Sequence, residues 1–188
     1  MAKRRQPYHS VIQGGSFDLE VDGRHVSRSK NCGTLEGLEA LIDYFFLATG
    51  TSRTWYVGLV GNVAGQVSYA DTWASHPTWE EVDWDWEYNN DPVKRIGPLI
   101  PSYSRSGKRG FMTLTAPHSA KVTGAFGLPL EGFFLIDTPN RLDAGLIMSI
   151  ARTLPLFDPA YNLTTDQLFR PSFVYEINGV VSTESLPA

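Results

Sequence analysis

The apolar run Thr54-Trp55-Tyr56-Val57-Gly58-Leu59-Val60 constrains the fold more than any other stretch of the chain. It is continuous and rich in aromatic and β-branched side chains, the composition of a central strand with both faces covered. Gly50 precedes it and Gly61-Asn62 follows, so turns bound it on either side. A domain that buries such a strand needs further strands around it. Short candidates recur: Phe111 to Ala116, Val122 to Gly127, Gly132 to Ile136 and Phe173 to Ile177. Phe17, Leu19 and Val21 alternate with polar residues, and Asp22-Gly23 then signals a tight hairpin with a return strand from Val26. Leu146 to Leu154 fits strand or short helix, with Ala144-Gly145 favouring strand, while Asn178-Gly179 marks another hairpin turn.

One helix is expected, over residues 35–49. Thr34 offers an N-cap hydroxyl, Glu36 and Glu39 sit in the first turns, and Gly50 suits a left-handed C-cap. Leu38, Leu41, Ile42 and Phe45 repeat at helical spacing, with Tyr44, Phe46 and Leu47 widening the apolar surface. Such a helix is expected to be covered by a sheet on one side and by something else on the other. Ser102 to Gly110 reads as a polar, basic loop. Seven or eight strands, one early helix and no βαβ alternation predict a mainly β fold, a β-sandwich of jelly-roll or immunoglobulin-like type. The expected division is an extended N-terminal arm with the hairpin over residues 1–33, and the β-sandwich domain over 34–188.

Composition narrows the function classes. The net charge of -4 has the wrong sign for a general nucleic-acid binder. A single cysteine, Cys32, gives no disulfide framework, and its bland role is an inert thiol. No apolar run approaches the roughly 20 residues that span a bilayer, and no apolar segment follows the first charges as in a secretory signal. The basic residues Lys3, Arg4 and Arg5 suit a solvated tail or an arm that docks on an acidic partner.

Catalytic and metal chemistry find little footing. His9, His25, His76 and His118 have no metal-ligand spacing with one another or with Cys32. Asp71, Ser75 and His76 superficially suggest a triad, but adjacent Ser and His side chains diverge and no nucleophile-elbow glycines flank Ser75. No enzyme activity and no cofactor are expected. Val82, Trp84 and Trp86 alternate with Asp83, Asp85 and Glu87, a strand with one aromatic and one acidic face. Trp73, Trp79, Trp84 and Trp86 could stack on sugar rings, anchor a protein interface, or fill a core layer.

The order of residues from Trp55 onward also carries a resemblance. Tyr56-Val57-Gly58-Leu59 precedes Asp71-Thr72-x-Ala74-Ser75-His76-x-x-Trp79-x-Glu81, then Tyr88, Arg95, Phe111, Thr113 and Gly124-Ala125-Phe126. This order resembles a group of small tailed-bacteriophage virion proteins over roughly residues 35–177. The chain departs from the group at Pro77-Thr78, where small residues and glycine are expected, and in a longer, more apolar segment over 128–159. The resemblance implies a structural part of the particle: foremost a capsid decoration, or cement, protein bound across major capsid subunits as a homo-oligomer. A tail or head-tail junction protein is the alternative, and a carbohydrate-binding module the next. Assembly would take place in the bacterial host cytoplasm, with no membrane partner. Lys3, Arg4, Arg5, Trp84 and Trp86 are the expected partner contacts. Asp71, Thr72, His76, Trp79, Glu81 and Arg95 are expected to hold a loop, with His76 and Glu81 pairing with each other or with Arg95.

Overall fold

Period-2 burial along Ser16–Val21 and full burial along Gly132–Ile136 reflect two kinds of strand, one at a half-covered sheet and one between two covered faces. In a computed structural model, the chain is mainly β, with two principal antiparallel sheets and one short helix in a β-sandwich-like arrangement. The structure describes residues 15–30, 32–43, 52–60, 70, 72–75, 81, 86–106, 109–124, 128–130, 132–152 and 161–178. The strands are β1 (Ser16–Val21), β2 (Arg24–Lys30), β3 (Cys32–Gly33), β4 (Tyr56–Val60), β5 (Trp86–Tyr88), β6 (Ile100–Ser106) and β7 (Arg109–Thr115). They continue as β8 (Ala120–Val122), β9 (Leu128–Leu130), β10 (Gly132–Ile136), β11 (Ile147–Arg152), β12 (Tyr161–Leu163) and β13 (Leu168–Asn178). The helix α1 is Leu35–Ile42.

The first sheet runs β2-β1-β13-β7-β6, and β8, carrying β5 on its far side, pairs with the start of β13. The hairpin β1-β2 therefore belongs to the same sheet as the last strand, with Ser16 opposite Val174 and Val21 opposite Phe169. Asp22 and Gly23 both have positive φ, the geometry of the tight hairpin turn that their sequence signals. The second sheet runs β3-β11-β10-β4. The segment over 128–159 supplies its middle strands β10 and β11, as well as β9, which pairs with β12.

The main core lies between the sheets. Phe17, Leu19, Leu114, Phe169 and Phe173 from the first sheet meet Val57, Leu59, Phe133, Leu135 and Met148 from the second. Phe17 stacks on Phe133 at 5.4 Å between ring centroids and tilts against Phe173 at 4.9 Å. Alternation sends Val60, Phe134, Ile136, Ile147 and Ile150 to the other face of the second sheet, where they form a second cluster joined by Tyr56 and Trp73. This double burial explains the continuous apolar run of β4.

Three expectations change. Within the expected loop over Ser102 to Gly110, Ser102 to Ser106 belong to β6 and Arg109 and Gly110 to β7, paired antiparallel with Ser102 opposite Thr113 and Ser106 opposite Arg109. All seven residues of β6 are exposed, so neither face imposes the apolar alternation that would have marked a strand. The helix leaves Leu38 of its expected apolar stripe exposed, and Leu35 one turn before it, while the side chains of Leu41, Ile42 and Phe45 lie outside the described residues. It is held instead through its N-terminus: the Thr34 hydroxyl accepts from the Gly37 N–H and donates to the Ile147 C=O, and the Glu36 carboxylate accepts from the Ile147 N–H. Trp86, expected as a partner contact, is a fully buried core side chain edge-on to Phe169. The continuation of the helix through 44–49, the strand at 67–69, residues 82–85 and residues 125–127 lie outside the described residues, as does Gly179.

Candidate functional site

Arg95 reaches its position by strand alternation at the edge of the second sheet. Ile96 exchanges backbone bonds with Val57, its N–H donating at 3.1 Å and its C=O accepting at 2.8 Å. Ile96 thereby points into the main core, and its neighbour Arg95 points to the opposite face, toward Phe134 and Trp73. The Arg95 guanidinium carbon lies 4.9 Å from the Trp73 ring centroid and 5.5 Å from that of Phe134. Trp73 comes from a short 3₁₀ turn, Trp73–Ser75, and its ring lies 5.9 Å from Phe134. Glycine at position 58 lets Phe134 lie there. Phe134 stands directly opposite Gly58 across the β10-β4 ladder, and a Cβ on Gly58 would clash with the tip of the Phe134 ring, at Cζ.

Glu81 closes the site from a separate segment. Its carboxylate takes the Arg95 fork in bidentate fashion, Nε to Oε1 at 2.7 Å and Nη2 to Oε2 at 3.1 Å. Both side chains are 0% exposed. The remaining Arg95 donors go to the connection between β10 and β11: Nη2 to the Asp143 C=O at 3.0 Å, and Nη1 to the Thr138 C=O at 3.0 Å and to the Thr138 hydroxyl. The Leu142 N–H, on a residue with positive φ, donates to the second Glu81 oxygen. All five guanidinium donors are thus engaged, and both carboxylate oxygens accept. A buried ion pair is stable only under such saturation, because desolvation of two charges otherwise outweighs their attraction.

The same connection is fastened along its length. The Arg95 N–H donates to the Pro139 C=O at 2.8 Å and the Arg141 N–H to the Val93 C=O at 2.9 Å. The Lys94 ammonium donates to Asn140 Oδ1 at 2.6 Å. At its far end Asp137 accepts from the Leu146 N–H and from Arg53. Arg141 adds a second cation over an aromatic ring, its guanidinium carbon 3.4 Å from the Trp86 centroid, with Nη2 donating to the Trp86 C=O at 2.6 Å. Burial lowers the Arg141 pKa to about 10, opposed by the nearby negative charge of Glu81 and Asp91. Its Nε and Nη1 are buried without a hydrogen-bond partner among the described residues.

Of the expected loop-holding residues, the structure brings Glu81 and Arg95 together and leaves Thr72 half-buried beside Trp73 in sequence. Asp71, His76 and Trp79 lie outside the described residues, as do Lys3, Arg4, Arg5 and Trp84 among the expected partner contacts. Sequence reasoning missed Arg141 and the carbonyls of Thr138 and Asp143. A cation at 141 stacked on a tryptophan 55 positions earlier leaves no local spacing signal. Among the described residues no group of three or more His, Cys, Asp or Glu side chains is placed to hold a metal ion. No helix among them is long and apolar enough to cross a membrane. No protein-family model matches the chain, no curated protein matches it, and no solved structure matches its fold.

Proposed function

We propose that this chain is a structural component of a bacteriophage virion, a capsid decoration protein that binds across major capsid subunits. One observation supports the reading above others. The residues that carry the resemblance, Gly58, Glu81 and Arg95, converge on a saturated ion pair with no donor left for a substrate or ligand. A motif committed to holding loops on a sheet suits a part whose task is shape and contact. A decoration protein works by mass action, since whatever binds only the assembled shell stabilises it. The carbohydrate-binding reading loses two of its four tryptophans, Trp86 to the core and Trp73 to the contacts around Arg95 and Phe134.

Proteolytic peptide counting on purified particles, combined with electron-microscopy density, tests the proposal. Hundreds of copies on the head surface are expected. A dozen or fewer would move the protein to the tail or the head-tail junction, and absence from purified particles would remove the virion reading.

A further inference from the structure

The strand β6 lies at the end of its sheet, and among the described residues no strand pairs with its outer side. Its seven residues are exposed on both faces, with Tyr103 at 72%. Which backbone groups face outward follows from the ladder. The Asp22 N–H donates to the Leu168 C=O, so the even-numbered residues of β13 face β1 and Phe173 faces β7. Phe173 stands opposite Leu114, which therefore directs its backbone toward β13, away from its other neighbour Pro101. Pro101, Tyr103 and Arg105 accordingly turn their backbone groups to the open edge. This places Pro101 where its missing N–H costs the ladder nothing. Side chains of paired residues share a face, so Pro101 and Tyr103 lie on the face of Leu114 and Met112. That face covers the core farther in and overhangs solvent at β6.

We infer that β6 is a self-pairing edge: a second copy of this chain adds to it, β6 antiparallel to β6, with Tyr103 opposite Tyr103 of the second copy. This register overlaps the whole strand from Ile100 to Ser106. It sets Arg105 opposite Pro101 of the second copy and Ser102 opposite Ser104, so no like charges face each other. Each Pro101–Arg105 pair keeps only the bond from the Arg105 N–H to the Pro101 C=O, because proline has no N–H, so the Tyr103 pair at the centre is the one that exchanges both backbone bonds. Sliding the pairing toward Ser106 shortens it and brings the two arginines into opposition. The pairing makes one sheet continuous through two copies and joins the two overhangs into a strip of Tyr103, Pro101 and Met112 with Arg105 of each copy at its ends. It is isologous, giving a closed dimer with twofold symmetry. The inference goes beyond the virion reading and stands without it, since it concerns two copies of the chain alone.

A register-specific cross-link tests it. In a Cys32→Ala background, one chain carries Ser102→Cys and another, tagged for size, carries Ser104→Cys. In this register positions 102 and 104 form a close pair, with Cα atoms about 4.5 Å apart, within disulfide reach. Mild oxidation of the mixture should give the mixed-size dimer, while either chain alone should give none. In parallel, the wild-type chain should sediment as a dimer and Tyr103→Pro as a monomer with unchanged far-ultraviolet circular dichroism. Proline fits there because the Tyr103 N–H faces outward and supports no bond within the chain's own sheet. A monomeric wild-type chain, a dimer that persists in Tyr103→Pro, or cross-linking that is equal in the single chains and the mixture would overturn the inference.

Discussion

The two faces of the second sheet are built from the same three strands, β4, β10 and β11, yet they are held in different ways. One face carries Val57, Leu59, Phe133, Leu135 and Met148 and packs on apolar side chains of the first sheet. The other carries Val60, Phe134, Ile136 and Ile147, and above it sits the Glu81–Arg95 pair. The apolar face is covered by another sheet, whose backbone groups are satisfied in its own ladders. The ionic face is covered by connections, whose backbone groups need partners from elsewhere. Arg95 supplies donors to the carbonyls of Thr138 and Asp143, and Glu81 accepts the Leu142 N–H. Where loops form the roof of a core, a buried pair of charges can do what a ladder does elsewhere.

This contrast sets the order of expected effects. Arg95→Met should have the largest, about 3–5 kcal/mol by denaturant unfolding, because Glu81 is left charged and dry and two carbonyls lose their donors. On the apolar face, Leu59→Ala should cost about 3 kcal/mol, the sum of lost transfer energy and a residual cavity. Gly58→Ala tests the joint between the two faces. The added methyl displaces Phe134, which both floors the ionic site and packs in its cluster, and should cost about 1–3 kcal/mol in the same assay. Gln at position 36 should act least, and through pH. Burial raises the Glu36 pKa, against the hydrogen bond from the Ile147 N–H, so the folded state holds the proton more tightly than the unfolded state. Its stabilising share is present below the ordinary carboxylate pKa of about 4.3 and is lost as pH rises through the higher folded value. Glu36→Gln should flatten the fall in thermal midpoint across that window while leaving its acidic end little changed.

Elements with one strong local signal were legible in the sequence. The Asp22-Gly23 turn, the Thr34 cap and the buried run of β4 each rest on residues adjacent in the chain. The strand β6 was not legible, because a strand with water on both faces has no reason to alternate, and Pro101, Ser102, Ser104 and Arg105 look like loop chemistry. Leu38 misled for the opposite reason. Helical spacing reports an apolar stripe whether or not anything covers it, and the short helix is held by its cap and by Glu36. Glu81 and Arg95 could be put forward as partners because they stand close to one another in sequence within a recognisable order of residues. The groups that complete their site could not. Thr138, Leu142 and Asp143 contribute mostly backbone atoms, brought in by a connection more than 40 positions away from Arg95, and side-chain identity says nothing about such contacts.

A double-mutant cycle between Glu81→Leu and Arg95→Met tests most directly the claim that the motif residues act as one buried unit. Unfolding free energies of the wild type, the two single variants and the double variant are needed. Each single change should cost about 3–5 kcal/mol, and the double variant should cost about as much as one of them, because removing both charges abolishes the unpaired-charge penalty. Single changes costing under about 0.5 kcal/mol, or a double variant equal to the sum of the two, would contradict the account.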